Sequence, residues 1–213
     1  LGAASIVGCG VLLWAALSWA PEEAVQGSIQ RIFYIHVPSA ICTFLAFGLS
    51  GVGGAIFLAR RSALADAVAL SAAEVGMVFA TLVLVTGPIW AKPVWGVWWT
   101  WEARLVFMAV LVLIFAGYWG LRAYGGRGEG VKTFAAVLAI LGGPMIYIVH
   151  KAVEMKLGTH PKKVQLDADM RIVLYSSLAV LMVVFWLLLT NRYRAHRARA
   201  TVAALRRRLS RLS

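Results

Sequence analysis

The stretch "AVALSAAEVGMVFATLVLVTGPIW", residues 67–90, runs directly into "AKPVWGVWWTWEARL", residues 91–105. The first part is a near-continuous apolar run with a single ionisable residue, Glu74. A helix needs roughly 20 mostly apolar residues to cross the hydrocarbon core of a bilayer, so this run is long enough to span one. The strands of a membrane barrel would show a repeated ten-residue alternation of apolar and polar positions, and none is present. The reading is therefore a transmembrane helix that delivers a dense tryptophan cluster to a membrane surface.

Working outward, five further runs of the same kind appear at about 3–20, 38–59, 105–121, 132–149 and 172–190. The composition agrees: 61% hydrophobic and only 14% charged residues is too apolar for a soluble globule of 213 residues. The sequence predicts an all-α membrane protein of six transmembrane helices with a tryptophan-rich outer loop. The first run ends in the small-residue stretch "ALSWAP" but has no Lys or Arg ahead of its apolar core, and Pro21 follows the would-be cleavage point. It reads as a retained span rather than a secretory signal. No repeat of 20–50 residues and no linker divides the chain, so residues 1–191 form one membrane domain and 192–213 a basic tail.

The 21 Lys and Arg residues orient the spans. Alternate loops put Arg60, Arg61, Arg122, Arg127, Lys132 and the eight arginines of the tail on one side. The positive-inside rule makes that side cytoplasmic, and places 21–37, 91–104 and 150–171 on the outer face. In the tail, Val202, Leu205, Leu209 and Leu212 recur at helical spacing among arginines, the pattern of an interfacial amphipathic helix in contact with membrane lipids or a partner subunit. A nucleic-acid partner is not expected, because the aromatic residues that would stack on bases lie on the other side or in the membrane.

Several chemistries are excluded or unsupported. The glycine run "YGGRGEG" (124–130) has no Gly-Lys-Ser/Thr after it and no strand before it, so it reads as a helix connector rather than a phosphate loop. Cys9 and Cys42 each lie inside a predicted span, with no C-x-x-C-H and no histidine at zinc spacing, which excludes covalent c-type haem on this chain and favours simple packing. No nucleophile and base pair is apparent, and the protein need not be an enzyme. Glu74 lies inside the third span, either hydrogen-bonded to a neighbour or part of a proton path or partner contact.

Trp95, Trp98, Trp99 and Trp101 fall within seven residues and are followed by Glu102 and Arg104. An interfacial aromatic belt explains scattered tryptophans, but four together beside two charges exceed what a belt requires. Of four histidines, His196 is in the tail, whereas His36, His150 and His160 are at or near the outer face; His36, just before Pro38, suits the first turn of a helix. Imidazoles from two outer loops flanking an indole surface from a third could ligate a planar metallocycle, with Arg31 and Arg104 as partners for its carboxylates. Flat, apolar and iron-bearing describes haem, held non-covalently as haem b.

"RIFYIHVPSA" (31–40) and "VTGPIWAKPVWGVWWTWEARL" (85–105) resemble the cytochrome c maturation protein C family, CcmC, six-span haem-handling membrane proteins named for a tryptophan-rich outer "WWD" motif. Spans, loop order and length agree over nearly the whole chain. The resemblance implies haem held at the periplasmic face and passed to the haem chaperone CcmE, alongside the small membrane subunit CcmD and the ABC transporter subunits CcmA and CcmB. It makes His36 the first axial ligand and His160 the second, with Arg31 and Arg104 beside the propionates and Trp95, Trp98, Trp99 and Trp101 as the platform. Two departures stand out. Glu102 replaces the family's usual aspartate, and "HKAVEMKLGTHPKK" (150–163) lacks paired tryptophans before the second histidine, which leaves His150 a competitor of His160. A haem permease subunit and a synthetase-type haem lyase are the alternative functions.

Overall fold

A computed structural model of the chain describes residues 2–126, 128–154 and 166–210. Six helices follow one another: α1 (Gly2–Trp14), α2 (Phe33–Arg60), α3 (Ala63–Trp95), α4 (Ala103–Tyr124), α5 (Glu129–Glu154) and α6 (Ala168–Leu209). Among the described residues there is no strand, only an isolated bridge between Glu23 and Gly27. Five of the helices are long and apolar enough to cross a membrane. The first is shorter: α1 continues into a five-residue π turn, Ala15–Trp19, and its apolar part is Ser5–Trp19. The protein is an all-α, multi-pass membrane protein.

α2 lies at the centre, packed on α3, α5 and α6; α4 leans on α5 and α3, and α1 on α6. The interfaces are built from small side chains, with Ala46, Ala69, Ala72, Ala73, Ala80 and Ala139 all buried. In a bilayer the lipid competes with protein for apolar contact, so close approach of small residues, rather than exclusion from water, holds helices together. Larger side chains are buried among them, including Phe57, Phe79, Tyr118 and Phe185. Phe47 of α2 and Phe115 of α4 stack with ring centroids 3.7 Å apart and planes within 4°. Gly76 of α3 and Gly142 of α5 make room for this pair: a Cβ on either would lie 2.5 Å from a phenyl carbon. Cys42 is buried in the cluster that joins α2 and α3 to α6. Many large apolar residues, among them Trp14, Val52, Val85 and Leu113, point outward, as expected where the solvent is lipid.

The helices outrun the apolar segments that announce them. α2 is preceded by a 3₁₀ turn, Ser28–Ile32, so His36 sits in its first turn and Pro38 inside the helix rather than at its start. α3 continues past Pro88 and Pro93 to Trp95. α6 carries on without a break through the basic residues to Leu209. At one end of the bundle Arg122 of α4 clasps Asp66 of α3 through two hydrogen bonds of 2.6 and 3.0 Å. Arg61 donates to Thr133 at 2.8 Å, joining the α2 end to α5. Glu74 of α3, left open by sequence, accepts from Arg192 Nε and meets His196 Nε2, each at 2.8 Å.

Candidate functional site

At the opposite end, α3 stops at Gly96, whose φ of +78° is the left-handed conformation that glycine adopts without strain. The Lys92 ammonium donates to the Gly96 carbonyl at 2.9 Å and fixes that end. Trp95 is thus the last residue of the helix, while Trp98, Trp99 and Trp101 lie on the short connection to α4. Trp90, one turn and a half earlier, meets Trp95 edge-on with centroids 4.9 Å apart. Its indole N–H donates to Gln26 Oε1 at 2.9 Å, tying the loop after the first span to α3. That loop is itself folded around Glu23, whose carboxylate accepts from the Val25 and Gln26 amides.

Between these elements lies a cavity of about 500 Å³ walled by Trp90, Trp95, Trp98 and Trp99, with His36, His150, Arg104 and Gln30 contributing polar groups. Phe44 and Met108 close it toward the bundle core. This combination of apolar walls and a few convergent polar groups is what small-molecule sites share.

His36 Nδ1 lies 2.9 Å from Thr86 Oγ1. The Thr86 hydroxyl donates to the Leu82 carbonyl at 2.6 Å, so toward the imidazole it can only accept. The Nδ1 position therefore carries the proton. Nε2 is left with the lone pair, the tautomer required of a neutral imidazole ligand whose second nitrogen is held by a neighbour. Arg104 makes no hydrogen bond or ion pair among the described residues and lines the cavity. Gln30 is 1% exposed, with the Tyr34 hydroxyl beside its amide.

The structure thus brings together His36, His150, Trp95, Trp98, Trp99 and Arg104. Trp101 is 85% exposed and meets Trp99 edge-on, with centroids 6.3 Å apart. Glu102 precedes α4, where its carboxylate accepts from Thr100 Oγ1 at 3.0 Å and faces the positive end of the helix. Arg31 is turned away from the cavity: its guanidinium donates to the carbonyls of Leu17 and Ala20 at 2.7 and 2.9 Å and closes the end of the first span. His160 lies outside the described residues. Gln26, Gln30, Thr86 and Trp90 were not singled out by the sequence. Trp90 alone carried a signal, standing five residues ahead of the cluster.

Six helices with an aromatic, imidazole-bearing cavity at one end define a polytopic, all-α membrane protein. The whole chain, residues 1–213, matches the family model for Heme exporter protein C, CcmC. It belongs to the CcmC family. The Heme exporter protein C of Paracoccus denitrificans is 31% identical over 213 residues, covering 96% of this chain and 87% of that protein. Those of Haemophilus influenzae and Escherichia coli are 35% and 34% identical over 70% and 67% of this chain. The matched stretch spans only 60% and 58% of those two proteins.

Proposed function

We propose that this protein binds haem non-covalently in the tryptophan-walled cavity, at the periplasmic face of a bacterial inner membrane, and hands it on during cytochrome c maturation. The observation that carries the reading is the convergence on one cavity of four indoles, the His36 imidazole in the ligating tautomer and the Arg104 guanidinium, which has no partner among the described residues. Flat apolar walls pack on the macrocycle and keep water from it; imidazole nitrogen binds the iron; the cation and the Gln30 amide suit carboxylates. Membership of the CcmC family and the name its relatives bear, Heme exporter protein C, agree with haem as cargo.

In this reading His36 is one axial ligand and His160 the second, with His150 the competitor that already lines the cavity. Trp101 and Glu102 shape the loop from outside, and Arg31 acts by fixing the first span. The protein's contribution is orientation rather than catalysis. The recipient is the chaperone CcmE, with CcmD, CcmA and CcmB as membrane partners. The basic end of α6 faces the cytoplasm, where anionic lipid attracts it.

Absorption spectra of detergent-purified protein from haem-replete cells test this. Wild type is expected to give a low-spin b-type spectrum, lost or turned high-spin by His36→Ala. His160→Ala having the same effect with His150→Ala silent establishes the loop ligand; the reverse pattern makes His150 the ligand. A wild type that carries no haem ends the proposal.

A further inference from the structure

A second concavity, of about 620 Å³, lies halfway along the bundle between α2 and α5. It is lined by Gly48, Gly51 and Val52 of α2 and by Ile140, Gly143 and Tyr147 of α5, and it shares Phe44 and His150 with the tryptophan-walled cavity. Its glycines are of two kinds. At Gly51 a Cβ would lie 3.0 Å from the Ala139 carbonyl oxygen, so this glycine serves close helix approach. Gly48 and Gly143 have nothing within 4 Å of where a Cβ would stand. Helix packing does not demand them; their effect is to leave the groove empty where a leucine pair would fill it.

The groove opens sideways at the level of the apolar belt, where Val52 is 59% and Tyr147 64% exposed. Its lining is apolar except at the end that meets the cavity, where His150 stands, and at its rim, where the Lys151 ammonium sits 6.0 Å from the centre of the Tyr147 ring. An occupant must therefore be a large apolar body, soluble in the bilayer core, with a group that an imidazole or a cation would meet as it passes into the cavity. An acyl chain is apolar and soluble in the bilayer core but brings no group for the imidazole. A metalloporphyrin with two carboxylates meets all of them.

Building on the haem-binding reading, we infer that the α2–α5 groove is a lateral portal through which haem passes between the bilayer and the tryptophan-walled cavity, with Phe44 and His150 at its threshold. Loading then does not require haem to leave the membrane for water.

The test uses the full chain reconstituted in phosphatidylcholine vesicles preloaded with haem, and the same protein titrated with haem in detergent. Gly48→Leu with Gly143→Leu fills the groove, and Val52→Trp obstructs it from the lipid side without entering the core. Both are expected to load from the bilayer at least tenfold more slowly than wild type, while binding the same amount of haem in detergent with the same spectrum. Loading at the wild-type rate by either variant that retains detergent binding overturns the portal and leaves the cavity reading standing. Failure of wild type to bind haem in detergent removes the cavity reading and the portal with it.

Discussion

At His36 the tautomer is set by an uncharged neighbour. Because the Thr86 hydroxyl donates along its own helix to Leu82, it holds the imidazole as an acceptor and fixes both the ring's proton and its rotation. Thr86→Val keeps the shape of the side chain but leaves Nδ1–H against a methyl group. Haem affinity should fall by about 10–100-fold, the usual cost of losing a partner that orients a ligand. Thr86→Ser should restore most of it, and a haem titration in detergent of both variants measures the difference. Equal affinities for wild type and Thr86→Val would show that the imidazole needs no such support. The sequence made His36 and the tryptophans visible because they are rare residues gathered at one surface. Thr86 and Gln30 were invisible for the opposite reason: a threonine or glutamine in a helical turn is common, and only packing tells whether it faces a cavity.

The helices themselves could be read from hydropathy because a bilayer accepts almost no other backbone, but their ends could not. Pro38, Pro88, Pro93 and Pro144 all stand inside helices, where in water each would argue for a boundary. Neighbouring helices and local adjustments tolerate the missing hydrogen bonds, and as a result α3 carries Trp90 and Trp95 on a rigid element rather than a loop. The contact that fixes α2 against α4 is equally local. Gly142→Ala drives a methyl group into the Phe115 ring and should destabilise the bundle by about 1–3 kcal/mol, typical of overpacking. Gly143→Ala, next to it but in open space, should leave stability unchanged or slightly raised. Thermal unfolding of the two variants in one detergent compares them directly; equal losses would mean that Phe115 can move aside.

Across the molecule, α6 is bound to the bundle at the depth of Glu74, whose carboxylate takes both Arg192 and His196. Ionisable residues inside spans are usually paired, and here the partners come from the far side of the chain, 118 and 122 positions away. Glu74→Ala removes an acceptor shared by two donors. A loss of about 1–2 kcal/mol is expected, toward the lower end because Arg192 is 41% exposed and its bond partly screened. Protease cleavage after the arginines beyond residue 191 should speed up in the variant at a temperature where the bundle stays folded. Unchanged cleavage would show that α6 is held by its apolar face alone. With 42 residues at about 1.5 Å each, α6 is about 63 Å long, against roughly 40–45 Å for a bilayer with its headgroups. The helix is therefore about 20 Å longer than a perpendicular crossing requires. The carboxylate that holds that helix, Glu74, stands on α3, whose far end carries Trp90 and Trp95, so the anchor of the longest helix and two of the indoles are parts of one continuous element.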